Sequence, residues 1–73
     1  MQEVSITDDS IRLGQLLKLA GLVDAGSDVK HLLGAGDVRV NGEPEQRRGR
    51  QLVRGDEVGV AGTTLRIASA RPA

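Results

Sequence analysis

The most informative stretch of this sequence runs from Leu32 to Gly42 and reads Leu32-Leu33-Gly34-Ala35-Gly36-Asp37-Val38-Arg39-Val40-Asn41-Gly42. Gly36 follows an apolar pattern at helical spacing and predicts the end of a helix. Val38-Arg39-Val40 then alternates apolar and charged residues, as in a half-buried strand. Asn41-Gly42 is a strong signal for a tight hairpin turn. The stretch therefore predicts a passage from helix to strand to hairpin.

Two short helices are predicted before this hairpin, because apolar residues recur at i, i+3 and i+4. The first should stop at Gly21, a residue suited to a left-handed helix end. The second should begin with Ser27 or Asp28 as its N-cap and reach about Ala35. The two apolar faces are Leu13, Leu16, Leu17 and Ala20 in the first helix, and Val29, Leu32 and Leu33 in the second.

Short alternating segments surround the helices and predict strands. Residues 3–7 read as a short edge strand, and residues 57–60 and 63–67 resume the alternation after turns at Gly55 and Gly62. A chain of 73 residues has room for one core. We therefore expect one α+β domain over residues 1–73, with its core at about residues 11–68 and two short packed helices against a small, mostly antiparallel sheet.

The composition argues against an enzyme or a metalloprotein. Because the chain has no cysteine and a single histidine, His31, thiolate chemistry and a two-histidine metal site are ruled out. No nucleophile elbow or phosphate-binding glycine loop is present. We expect no catalysis, no cofactor and no metal. The absence of Phe, Tyr and Trp also removes base stacking on aromatic rings.

The charges are unevenly distributed although their formal sum is zero. Every charged side chain among the first eleven residues is acidic. By contrast, Arg47, Arg48, Arg50 and Arg54 follow one another without an acidic residue between them. Such a cluster is either a solvated face or a patch for an anionic partner. No segment predicts a signal peptide or a membrane span, so a cytoplasmic location is expected. We also expect a monomer.

The order of these motifs resembles the RNA-binding domain family named after small-subunit ribosomal protein S4. The resemblance covers residues 11–60 and includes Arg12-Leu13, Gly21-Leu22, Val38-x-Val40-Asn41-Gly42 and Gly55-Asp56-x-Val58. The stretch Arg47-Arg48-Gly49-Arg50-x-Leu52 is similar to the short stand-alone bacterial members. The resemblance implies the S4-like fold, also called the alpha-L RNA-binding motif. It also implies that RNA is contacted along the second helix and in the loop after the first hairpin.

The residues expected to bind RNA are mostly basic. An arginine side chain can donate two hydrogen bonds to phosphate oxygens, and the first turn of a helix offers free backbone amides. Where many family members have Ser-Arg, this chain has Ser27-Asp28, so Lys30 and the amides of Gly26 and Ser27 are expected to substitute. Arg12 and Lys18 are expected to be solvated helix charges. The predicted set is Lys30, Arg47, Arg48, Arg50, Arg54, Arg39, Gly26, Ser27 and His31.

The sequence therefore predicts non-catalytic binding of structured RNA, either ribosomal RNA or tRNA, recognised by shape more than by base sequence. The alternative is a protein-interaction module that uses the same fold, and its partner could lie on the ribosome. Zero net charge and Asp28 favour the alternative, and the arginine cluster opposes it. DNA stays open as a ligand, because phosphate contacts alone do not separate the two nucleic acids.

Overall fold

The computed structural model describes residues 2–23 and 26–69, of which the side chains of Ser27 and Ser69 are not described. The sequence also predicts a loop at Asp24-Ala25-Gly26-Ser27 and a tail at Ala68 to Ala73, and residues 24–25 and 70–73 of these lie outside the described residues. Within the described residues, two helices and seven strands follow one another: β1 Gln2–Ile6, β2 Ser10–Arg12, α1 Leu13–Leu19, α2 Gly26–Gly34, β3 Val38–Val40, β4 Glu43–Pro44, β5 Gln51–Val53, β6 Glu57–Val60 and β7 Thr63–Ser69.

The strands form two sheets, and all but one of their pairings are antiparallel. The larger sheet has the order β1-β7-β6-β3-β4, and β2 pairs with β5 in a smaller sheet of two strands. The exception is β1, which runs parallel to β7 with Val4 opposite Ile67. The α+β class and the mostly antiparallel sheet predicted from the sequence are confirmed.

The core lies between the helices and one face of the larger sheet. Both predicted helical faces are buried, with Leu32 and Ala20 packed at its margin. Val4 and Ile6 of β1 are also buried, so the packed core begins before the expected residue 11. The buried hydrophobic residues are Val4, Ile6, Leu13, Leu16, Leu17, Val29, Leu33, Val38, Val40, Leu52, Val58, Val60, Leu65 and Ile67.

Helix α1 ends as its sequence predicts. Gly21 adopts φ +76°, and its amide bonds the Lys18 carbonyl at 3.0 Å. The Leu22 amide reaches back to the Leu17 carbonyl, also at 3.0 Å. This pair of bonds is the Schellman arrangement, which a glycine at the left-handed position stabilises.

Helix α2 differs from the prediction at its start. It begins at Gly26, so Ser27 and Asp28 lie in its first turn and neither is the N-cap. It ends at Gly34, with Gly36 at φ +78° two residues later. Within the described residues, neither helix is long and apolar enough to cross a membrane.

Two turns at one end of the larger sheet are joined by side chains. Asn41 and Gly42 both have positive φ, as a type I′ hairpin requires. The side-chain nitrogen Nδ2 of Asn41 donates to Asp56 Oδ1 at 3.2 Å, and Asn41 Oδ1 accepts from the backbone amide of Glu57 at 3.0 Å. Asp56 Oδ2 accepts from the Val53 amide at 2.9 Å. The Asn-Gly and Gly-Asp motifs of the sequence are therefore two halves of one junction.

Candidate nucleic-acid interface

The segment from Glu45 to Arg50, here called the arginine loop, connects β4 to β5. Its first amide, on Glu45, bonds the Val38 carbonyl at 3.0 Å and so continues the hairpin for one residue. Its far end is a turn in which the Arg50 amide bonds the Arg47 carbonyl at 3.2 Å. The loop is thus held by backbone bonds at both ends.

The arginine loop is docked on the start of α1. The Leu13 amide bonds the Arg50 carbonyl, and the Gly14 amide bonds the Arg48 carbonyl, both at 2.9 Å. These amides belong to the first turn of α1, which has no partners within its own helix. The loop therefore satisfies the helix start, and the helix start fixes the path of the loop.

Glu45 lies at the centre of this loop and is the one described charged residue that is buried, with 7% of its surface exposed. Its Oε2 accepts from the amides of Gln46 and Arg47, at 3.0 and 3.1 Å. The same oxygen accepts from Arg47 Nε at 3.2 Å, and Oε1 accepts from Arg50 Nη1 at 2.9 Å. Hydrogen bonds from the Arg47 and Arg50 side chains lower the pKa of Glu45 from 4.5 to about 2. Glu45 in turn raises the pKa of Arg47.

The two arginines that bond Glu45 still face solvent. The Arg47 side chain is 76% exposed and that of Arg50 is 36% exposed. A guanidinium has five N–H donors, so each keeps donors for a second partner. With one carboxylate and two guanidinium groups, the trio carries a net charge of +1.

Arg48 belongs to a different environment. Its guanidinium has no hydrogen-bond partner in the part of the chain that the structure describes. It lies at a surface depression, here called the basic concavity, whose described lining contains three cationic residues and no acidic one. The lining residues are Arg12, Gly14, Gln15, Lys18, Val29, Arg48 and Gly49. The concavity thus combines the start of α1, one residue of α2 and the tip of the arginine loop.

Gly14 lies where the three walls of this concavity meet. A methyl group there would lie 3.5 Å from the Arg48 carbonyl oxygen and from Val29 Cγ1, an ordinary packing distance. Gly14 therefore lies close to both the arginine loop and α2, and it lines the concavity together with Arg12 and Arg48.

The residues predicted on α2 lie apart from the basic concavity. Lys30 and His31 are exposed and line a separate depression with Gly34 and Ala35. The α2 residue that lines the concavity is Val29. The backbones of Gly26 and Ser27 form the start of α2, and the Ser27 side chain is outside the described part of the structure. Their role in binding stays a prediction.

Two further predicted residues are separated from the arginine loop. Arg39 is on the face of the larger sheet opposite the buried Val38 and Val40, and its Nη1 donates to the Gly42 carbonyl at 3.4 Å. Arg54 follows the far end of β5, and its Nη2 lies 3.7 Å from Asp9 Oδ1. Of the nine predicted residues, the structure brings Arg47, Arg48 and Arg50 together.

Sequence reasoning missed two features of the site. Glu45 carried a signal, since it stands beside the arginines, but nothing in its neighbourhood predicted that its carboxylate would turn inward. Arg12 directly precedes α1 and Lys18 is in its last turn, and both line the basic concavity. Their position beside Arg48 depends on the docking of the loop, which sequence spacing does not reveal.

The chemistry that this surface offers is the binding of oxyanions. The groups it presents are guanidinium, ammonium and amide donors, which bind phosphate oxygens. Among residues 2–23 and 26–69, no group of three or more His, Asp and Glu side chains is placed to hold a metal ion. These donors are of the kind that holds phosphate groups by charge and hydrogen bonds.

Comparison with known proteins agrees with this geometry. A family model described as the S4 domain matches residues 4–68. The chain is also 46% identical over 59 residues to the probable ribosome maturation protein RlbA of Bacillus subtilis strain 168, covering 81% of this chain and 83% of that protein. The family match spans both helices and the arginine loop and reaches from β1 to β7. The chain therefore belongs to the S4-domain family, the RNA-binding family whose motifs its sequence resembles.

Proposed function

We propose that the chain binds structured RNA without catalysing a reaction, that ribosomal RNA is the first candidate, and that tRNA is the second. The observation that carries the proposal is the basic concavity, in which Arg12, Lys18 and Arg48 meet with no acidic residue in the described lining. Arg47 and Arg50 extend this surface along the arginine loop.

Three further points support the proposal. The S4 family is an RNA-binding family, and the RlbA relative is named for ribosome maturation, which favours ribosomal RNA as the ligand. The surface has cationic side chains, and the chain has no aromatic residue. Contacts to the sugar-phosphate backbone therefore prevail over stacking on bases. Backbone contacts recognise shape, and this suits a folded RNA.

The test is a titration of the labelled protein with a structured ribosomal RNA fragment at several salt concentrations. If the wild type neutralises about four phosphates, the log–log slope of affinity against salt should be roughly −3 to −4. Arg48→Ala should make that slope shallower by about 1, and Arg12→Ala/Lys18→Ala/Arg48→Ala by about 3. The triple variant removes no partner of Glu45, so the arginine loop keeps its carboxylate ion pairs.

The matched control is Arg66→Ala, which removes one exposed cation from β7 on the sheet face away from the core. It should leave the affinity and the slope close to those of the wild type. Competition with tRNA and with duplex DNA of equal length ranks the three ligands. Equal binding by the wild type and the triple variant would show that the concavity is a solvated face, and the proposal would then be wrong.

One observation favours the alternative, a protein-interaction module. A second, more apolar groove is lined in part by Ile6, Ile11 and Leu19, and Leu19 is 58% exposed. Exposed apolar surface of this kind marks many protein contacts. Leu19→Ser should leave the RNA titration unchanged, whereas it should weaken any protein contact made through this groove, measured by co-sedimentation with ribosomal proteins.

A further inference from the structure

The contacts of Glu45 determine how two arginines face the solvent. Arg47 bonds the carboxylate through Nε at 3.2 Å and through Nη2, also at 3.2 Å, so the two groups meet side by side. Arg50 donates through Nη1 at 2.9 Å to Oε1, the oxygen that also accepts from Arg47 Nη2. Both guanidinium planes are therefore tied to one carboxylate, and their remaining N–H groups point away from it.

We propose that Glu45 is a positioning residue for RNA binding: it holds Arg47 and Arg50 with their remaining donors arranged for phosphate before RNA arrives. This inference rests on the proposed function. The physical reason is entropic, since a free arginine loses much side-chain freedom when it binds. A side chain that is already ordered in the free protein loses less of it.

A purely electrostatic role for Glu45 predicts the opposite result. The carboxylate cancels one positive charge of the arginine loop, so its removal should strengthen RNA binding and steepen the salt dependence. A positioning role predicts that its removal weakens binding although the loop gains a net positive charge. The sign of the change therefore separates the two roles.

The experiment compares four proteins in the same RNA titration: wild type, Glu45→Gln, Glu45→Asp and Glu43→Gln. Glutamine keeps the size of the side chain but turns an amide group towards the arginines, which have no acceptor to offer it. Aspartate keeps the charge but shortens the reach to the guanidinium groups. Glu43 is exposed on β4, two residues before Glu45, and Glu43→Gln removes the same charge from the same hairpin.

We expect Glu45→Gln to bind about 5- to 10-fold more weakly than the wild type, as expected when two arginines must be ordered on binding. Its salt slope should be shallower. Glu45→Asp should also bind more weakly, although no charge has changed. Glu43→Gln should bind equally well or slightly more tightly. In the free protein, the NMR signal of the Arg47 Nε–H should be protected from exchange in the wild type and lose that protection in Glu45→Gln.

The proposal would be overturned by tighter binding and a steeper slope in Glu45→Gln, or by wild-type affinity in Glu45→Asp. The amides of Leu13 and Gly14, which bond the arginine loop, report by NMR whether the loop stays docked. If both Glu45 variants lose that docking together with RNA binding, Glu45 acts by folding the loop, and the positioning role is wrong. If the wild type itself does not bind RNA, the proposed function fails first, and this role with it.

Discussion

Two loops at opposite ends of β5 are each built around one carboxylate, and they use it differently. Before β5, Glu45 accepts two backbone amides and then two guanidinium groups. After β5, Asp56 accepts the Val53 amide and the neutral side-chain amide of Asn41. In both loops the carboxylate satisfies backbone donors, but the remaining partners are charged in one and neutral in the other.

The difference shows how one local device serves two purposes. The Asn41 side chain uses its donor on Asp56 and its acceptor on the Glu57 amide, so the junction of the two turns is held by neutral partners and contains no cation. Arg47 and Arg50 each use only some of their guanidinium N–H donors on Glu45. The turn junction of Asn41 and Asp56 should therefore matter for stability, whereas the arginine loop should matter mainly for binding.

The largest effect is expected from Asn41→Ala, which breaks the turn junction. Alanine loses both side-chain hydrogen bonds, and it is strained at the φ of +53° found here. We expect the free energy of unfolding to fall by about 2–3 kcal/mol, from two hydrogen bonds and one left-handed residue. Urea unfolding followed by circular dichroism measures this loss. The RNA affinity of the folded variant should stay that of the wild type.

The matched variant Asn41→Gly separates the two contributions. Glycine tolerates a positive φ, so only the side-chain hydrogen bonds are lost, and the fall should be smaller by about 1 kcal/mol. If Asn41→Ala weakened RNA binding as much as Arg48→Ala does, the division of labour between the two loops would be wrong.

The next effect is a pH dependence of stability that comes from the arginine loop. The pKa of Glu45 is about 2 in the folded protein, below the ordinary 4.5, because its arginine partners favour the ionised form. A lowered pKa in the folded state means that the unfolded state takes up the proton first as the pH falls. The stabilisation is therefore complete above about pH 4.5 and is lost progressively towards about pH 2.

The measurement is the urea midpoint as a function of pH. The wild-type midpoint should fall more steeply between about pH 4.5 and about pH 2 than that of Glu45→Gln, which has no proton to take up at this position. Glu43→Gln should keep the wild-type slope, because it leaves the contacts of Glu45 intact. Parallel curves for wild type and Glu45→Gln would show that the ion pairs do not stabilise the folded loop.

Most of the fold could be predicted from the sequence, because its signals are local. The apolar spacing around Leu16 and Leu17 places a helix face, and Gly21 can end that helix with little strain. Asn41-Gly42 specifies its turn through two residues that accept positive φ. The parallel pairing of β1 with β7 joins the two ends of the chain, and no local pattern encodes such a contact.

The site was less predictable, because its geometry depends on contacts between distant segments. The sequence identified the arginines from their clustering, but it did not show that Glu45 holds Arg47 and Arg50 while Arg48 lies beside residues of another segment. Arg48 meets Arg12 and Lys18 only because the loop carbonyls cap α1. Arg54 belongs to the same cluster in the sequence, yet the three residues of β5 separate it from the arginine loop.

That separation gives the smallest expected effect, from Arg54→Ala. The Arg54 side chain is 53% exposed and lies 3.7 Å from Asp9, whose side chain is fully exposed. Exposed pairs of this kind add little to stability, so we expect the loss of the Asp9 pair to lower the urea midpoint only slightly. The RNA affinity should fall less than in Arg48→Ala, because Arg54 follows the end of β5 that lies away from the arginine loop. The titration used for Arg48→Ala measures both variants at one salt concentration. An equal loss in the two variants would mean that the RNA surface continues along β5 and includes the turn built on Asp56, in which case the two loops would share one function.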